Sequence, residues 1–98
     1  MRFTFSGTII EWRGPAPHYF VALPPDDGEL LIDMPELSYG WGCIAAHVTI
    51  GGTRYRTALM PKDGRMLVPI KVAVRRAEGI DLGDRITLSV EVGEPRRI

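Results

Sequence analysis

Residues 85 to 92 alternate without a break: Ile86, Leu88, Val90 and Val92 are apolar, while Arg85, Thr87, Ser89 and Glu91 are polar. A period of two puts successive side chains on opposite faces of a strand, so the segment predicts a strand with one face in the core and one in water. The same period runs through Phe3, Phe5, Gly7 and Ile9, alternating with Thr4, Ser6 and Thr8, and Trp12 closes this first strand. Gly14, Pro15, Ala16 and Pro17 then predict a loop, because proline cannot donate to a β-ladder. Tyr19, Val21 and Leu23 begin a second strand, which Pro24 and Pro25 stop. Between residues 26 and 42 the pattern weakens. The run from Glu29 to Met34 reads either as a short helix or as an edge strand, and Pro35 limits both.

Two apolar-rich runs, 43 to 50 and 53 to 60, are joined by Gly51-Gly52, a two-residue link suited to a type I′ hairpin turn. That link sets the register. With Ile50 opposite Thr53, the pairs Val48/Tyr55, Ala46/Thr57 and Ile44/Leu59 share the core face. Thr49/Arg54, His47/Arg56 and Ala45/Ala58 share the outer one. Pro61-Lys62-Asp63-Gly64 forms a tight turn into a strand from Arg65. Pro69 suits the first position of a helix over about 70–78, with Gly79 ending it and Ile70, Val74 and Ala77, beside Ala73, forming its buried stripe. Glu94 to Ile98 reads as a frayed tail. The expected fold is mainly β, a small barrel or pseudo-barrel of roughly six strands capped by one short helix.

Composition narrows the picture further. A chain of 98 residues makes one domain, and Lys+Arg 12 against Asp+Glu 12 gives a formal net charge of +0, so no global field draws nucleic acid or an anionic membrane toward it. The one cysteine, Cys43, allows no internal disulfide. The alternating amino-terminal residues do not read as a signal peptide and no apolar run reaches membrane-spanning length, so the expected location is cytoplasmic.

Several short stretches carry a resemblance. Phe3-Thr4-Phe5-Ser6-Gly7, Trp12-Arg13-Gly14-Pro15-Ala16-Pro17, Tyr39-Gly40-Trp41-Gly42, Ile50-Gly51-Gly52-Thr53, Thr57 to Gly64, Leu67 to Lys71, Val74 to Gly79 and Leu82-Gly83-Asp84 together resemble a small uncharacterised bacterial family. That family is a domain of unknown function, a β-barrel sometimes fused to a region resembling bacteriocin-protection (OmpD-associated) proteins. The chain departs from it at residues 24 to 40, where the family usually has a more regular helix. The resemblance implies a fold and no chemistry. Separately, the helix followed by Gly83-Asp84 and a strand is similar to the GD box of cradle-loop barrels, a group that includes AbrB-like transition-state regulators and antitoxins. The Asp84 carboxylate there would accept backbone N–H bonds from a neighbouring loop.

The neutral total conceals two poles. Asp26, Asp27, Glu29, Asp33 and Glu36 occur with no basic residue among them, whereas residues 54 to 76 hold Arg54, Arg56, Lys62, Arg65, Lys71, Arg75 and Arg76 against Asp63 alone. Either the basic pole is a surface for an anionic partner, met by the acidic segment in cis or in another subunit, or both are ordinary solvated faces. Lys71 and Arg75, four apart on the expected helix and with Arg76 beside them, are candidates to hold a phosphate or carboxylate. The plainer alternative ties Lys71 to Asp84 or Asp63 in an internal salt bridge. Arg54 and Arg56, with His47 and Thr49, form a second candidate contact on the hairpin's outer face.

Other chemistry is poorly supported. Cys43 and His47 lie four residues apart on one strand, about 13 Å, beyond hydrogen-bond reach. Two histidines and one cysteine lack the spacing of a zinc site, and no phosphate-binding or dinucleotide-binding loop is present. Trp12, Tyr19, Tyr39 and Trp41 flank loops, as pocket walls or as plugs of a barrel mouth.

The sequence therefore points to a non-enzymatic binding or accessory module without metal or cofactor. Its partner would be a protein or a small anionic ligand, engaged by Lys71, Arg75, Arg76, Arg54 and Arg56, with monomer and homodimer both open. An AbrB-like nucleic-acid binder is a first alternative, although the zero net charge and the lack of a basic arm weigh against it. An enzyme acting on a small anionic substrate is a second, and would need His18 or His47 within reach of Glu11 or Asp84.

Overall fold

One residue, Ile9, joins the two edges of the sheet. The computed structural model describes residues 1–12, 18–40 and 42–93; the loop expected at 14–17, Trp41 and the tail from Glu94 lie outside the described residues. Within them the chain forms β1 (Arg2–Thr8), β2 (Ile10–Trp12), β3 (His18–Ala22), α1 (Pro25–Ile32), a 3-10 turn at Pro35–Leu37, β4 (Ser38–Gly40), β5 (Cys43–Ile50), β6 (Thr53–Lys62), β7 (Arg65–Pro69), α2 (Val72–Glu78) and β8 (Arg85–Val92). The strands pair in the order β1-β8-β5-β6-β7-β3-β2, with β4 beside β5, and every pairing is antiparallel.

Laid flat, that row of strands would hold β1 and β2 roughly 29 Å apart at about 4.8 Å per strand. A single residue spans only about 3.4 Å. The sheet must therefore curl until its two ends meet, as the expected barrel requires. Ile9 is fixed at the meeting point, where its N–H donates to the Asp84 carbonyl and its carbonyl accepts from the Gly83 N–H, both at 2.9 Å. Gly7 on β1 faces Val21 on β3 across the closure: a β-carbon on residue 7 would lie 2.6 Å from Val21 Cγ1, so only glycine allows this approach.

The alternations seen in the sequence fill the interior. Phe3 and Phe5 of β1, Ile44, Ala46, Val48 and Ile50 of β5, and Ile86, Leu88, Val90 and Val92 of β8 are all buried in one core. The β5–β6 register is the expected one, with Ile50 opposite Thr53, Val48 opposite Tyr55 and Ile44 opposite Leu59.

Eight strands replace the expected six because the first strand divides at Ile9 and because β4, three residues long, is too short to show a period. The ambiguous segment is helical. Pro25 opens α1, Asp26 and Asp27 occupy its first turn, where the helix dipole favours anions, and Leu31 is its buried anchor.

The capping helix differs from expectation in two ways. Pro69 remains in β7 opposite Phe20, and α2 begins only at Val72 with Lys71 as its N-cap. Ala73 and Ala77 are exposed, so the buried stripe reduces to Ile70 and Val74, supported by the partly buried Ile80. Gly79 ends the helix in the left-handed conformation (φ 65), as expected. Among the described residues no helix is long and apolar enough to cross a membrane.

Candidate functional site

Helix α2 lies over one mouth of the shell, and two tyrosines stand beneath its cations. Tyr19 on β3 and Tyr55 on β6 are partly buried against the core. The Arg75 guanidinium sits over the Tyr19 ring, 4.0 Å from its centroid, and Lys71 Nζ lies 5.8 Å from the centroid of Tyr55. Both are within the range in which a ring face attracts a cation, an effect of about 0.5 to 2 kcal/mol depending on desolvation. The Tyr55 hydroxyl donates to the Pro69 carbonyl at 2.8 Å, which ties β6 to the residues entering the helix. Burial raises the Tyr55 phenol well above its ordinary value, so it remains a neutral donor.

Lys71 and Arg75, expected to converge on one anion, are turned to different partners, the Arg56 carbonyl and the Tyr19 ring. Because the helix starts three residues later than its proline suggests, Lys71 caps it from outside, and its amine donates to the Arg56 carbonyl at 2.7 Å. This backbone partner stands where a salt bridge to Asp84 or Asp63 was the alternative. A helix of seven residues also offers too little length for an anion site at its start.

Arg75 and Arg76 occupy the last turn, where the dipole favours cations. They line a groove of about 330 Å³ together with Tyr19, Val72, Ile80 and Asp81. Among the described residues neither arginine has an ion pair, and Arg75 Nε is buried without a hydrogen-bond partner. Asp81 is turned into its own loop: its Oδ1 accepts the Leu82 N–H at 2.7 Å, and its N–H donates to Asp84 Oδ2 at 2.8 Å. The Asp84 carboxylate thus accepts a backbone N–H from its own turn, three residues back, where a neighbouring loop was the expected donor.

In the second candidate contact Arg54 is already engaged. Arg54, Arg56, His47 and Thr49 do share the outer face. On that face Glu91 of β8 accepts from Arg54 and from Arg2, each at 2.9 Å through a different carboxylate oxygen. Both bonds hold its carboxyl below the ordinary glutamate range, the Arg54 bond contributing most. Glu91 is the residue that sequence reasoning missed. Its signal was faint, a lone acid on the wet face of β8, and only the β5–β8 register puts it opposite His47 and beside Arg54. Thr4 with Ser89 and Ser6 with Thr87 extend the same face as hydroxyl pairs, 3.1 and 2.8 Å apart.

The alternative proton-transfer pairs fare differently. Glu11 pairs with Tyr19 and Trp12 with His18, so Glu11 and His18 point to opposite faces of the sheet. Of the loop aromatics, Tyr19 supports Arg75, Trp12 receives Lys62 Nζ at 4.4 Å from its ring centroid, and Tyr39 flanks a shallow depression with Arg56. Cys43 is a half-buried free thiol. Among the described residues no group of acidic, histidine or cysteine side chains is arranged to hold a metal ion.

Residues 5–90 match the family model described as a domain of unknown function (DUF1905). The chain belongs to the DUF1905 family. The matched stretch of this DUF1905 domain contains both α2 and the hairpin, and so all five cationic candidates, but stops short of Glu91. No curated protein matches the chain.

Proposed function

We propose that this domain is a non-enzymatic binding module that captures an acidic group, a carboxylate or phosphate carried by a small ligand or a partner protein, in the groove between Tyr19 and α2. One observation carries the reading: Arg75 is held over Tyr19 with its Nε buried and unsatisfied, beside Arg76 in the same groove. Nε itself is closed off from the groove, so an arriving oxyanion would be met by the rest of the Arg75 guanidinium, fixed in place over Tyr19, and by Arg76. Two guanidinium groups also suit the planar, two-pronged geometry of a carboxylate or phosphate better than the amine of Lys71 would. The groove is otherwise built for recognition, with an aromatic seat and the apolar Val72 and Ile80.

Titration of ¹⁵N-labelled protein with inorganic phosphate and with citrate tests this. Resonances of Arg75, Arg76 and Ile80 should move, and the effect should weaken with added salt and be lost in Arg76→Gln, an exposed position whose change leaves the fold intact. Saturating phosphate and citrate that leave these resonances in place, or an unchanged response in the variant, would remove the site.

A further inference from the structure

The groove between Tyr19 and α2 is not purely cationic. Asp81 lines it together with Arg75 and Arg76, and Tyr19, Val72 and Ile80 complete its wall. Opposite charges in so small a space commonly pair. Among the described residues neither arginine forms an ion pair with Asp81, whose Oδ1 accepts the Leu82 N–H and whose Oδ2 makes no hydrogen bond. Two guanidinium groups, an open carboxylate oxygen and an apolar surface therefore face one and the same space.

The charges just outside the lining are also mixed. Lys71 and Arg85 are basic, and Glu11, Glu78 and Asp84 are acidic. Three of these five are turned to other partners: Lys71 to the Arg56 carbonyl, Glu78 to the Thr53 hydroxyl and Asp84 to the Asp81 N–H. Glu11 stands opposite Tyr19 on the neighbouring strand. Surroundings of both signs give no advantage to a multiply charged anion and complement a ligand that bears one charge of each sign. The groove, of about 330 Å³, lies at the small end of the roughly 300 to 1,000 Å³ of ligand clefts, which suits a small molecule.

We infer that the ligand of this groove is a free α-amino acid with an apolar side chain. Its carboxylate is met by Arg75 and Arg76, its ammonium group by Asp81 Oδ2, and its side chain by Ile80 and by Val72, which is 51% exposed. This rests on the anion reading given above and narrows it. A simple carboxylate leaves Asp81 unused, and a phosphate meets it as a like charge.

The test titrates ¹⁵N-labelled protein with leucine, with 4-methylpentanoate, which is leucine without its ammonium group, and with glycine, which lacks the side chain. Resonances of Val72, Arg75, Arg76 and Asp81 should move with leucine. Leucine should bind about threefold more tightly than 4-methylpentanoate, the worth of one solvent-exposed ion pair. It should bind about tenfold more tightly than glycine, as partial burial of its side chain requires. Asp81→Asn, at an exposed position, keeps an oxygen for the Leu82 N–H and removes the charge, so leucine and 4-methylpentanoate should then bind alike. Equal affinity for these two in the unaltered protein, a preference for leucine that survives Asp81→Asn, or glycine binding as tightly as leucine would each overturn the inference. Phosphate and citrate that shift Arg75 and Arg76 while leucine does not would overturn the amino acid and leave the anion site standing; silence toward all of these probes would remove both.

Discussion

Gly7 and Val21 touch across the closure of the shell, the first on an edge strand and the second fully buried on β3. Val21 has no room to retreat, so Gly7→Ala should destabilise the protein by about 1 to 3 kcal/mol, the usual cost of overpacking. Urea denaturation measures the loss. The double variant Gly7→Ala/Val21→Ala should be less destabilised than the sum of the two single changes, because shortening Val21 vacates the space that the new methyl needs. Additive effects would mean that the two residues do not share this contact.

The turn of the hairpin is held from the side by the capping helix. The Thr53 hydroxyl donates to Glu78 Oε2 at 2.6 Å, and a β-carbon on Gly51 (φ 58) would run into the same carboxylate. Glu78 occupies the last turn of α2, where the dipole disfavours an anion, so its position depends on that hydroxyl. Thr53→Val should cost about 1 to 2 kcal/mol. Gly51→Ala should cost at least as much, through both the strained backbone and the displaced carboxylate. Thermal melts followed by circular dichroism distinguish these losses from an unaffected fold.

Glu91 makes the outer face sensitive to acid. Its carboxyl is held low in the folded protein by Arg54 and then Arg2, so the stability it contributes is present above the ordinary glutamate range and is lost as pH falls through the depressed folded value. A ¹³C titration of the Glu91 side chain should show it ionising at lower pH than a free glutamate. In Arg54→Gln the midpoint should rise, and added salt should narrow the remaining difference. A midpoint unmoved by removing Arg54 would contradict the assignment.

At the basic end of the scale the critical group is Tyr55. Its phenol is raised above the ordinary value of 10.0 by burial, so the unfolded chain loses this proton first, and stability should decline as pH climbs beyond that value. Ultraviolet titration should find one tyrosine that does not ionise until the protein unfolds. Tyr55→Phe should remove that behaviour and, by leaving the Pro69 carbonyl without its donor, cost about 1 to 2 kcal/mol.

The hairpin was fully legible in the sequence, because a two-residue glycine link between alternating runs leaves one antiparallel register, and β5 and β6 adopt it. Segment α1 was harder: Pro24-Pro25 ends a strand and also opens a helix, and only the latter role explains the acids that follow. The start of α2 depended on tertiary contacts. Pro69 stays extended because Phe20 pairs with it and Tyr55 bonds its carbonyl, neither of which is written near residue 69. Of the five cations, Arg75 and Arg76 were expected in the last turn of a short helix, and they lie there. Lys71 was not assignable, since its partner is the carbonyl of Arg56, a backbone group that every residue type carries alike. Arg54 required Glu91, whose proximity follows from a pairing between strands far apart in the chain.

The closure at Ile9 also bears on how the protein is made. β1 finds its ladder partner in β8, with Arg2 opposite Glu91, so on the ribosome β1 must wait, one edge bare, until β8 has been made. The β5–β6 hairpin, whose contacts are local, can assemble while the nascent chain is still being threaded out. The shell itself can close only late, and an uncovered strand edge in the interval is the stage at which synthesis is most exposed to mispairing between neighbouring chains.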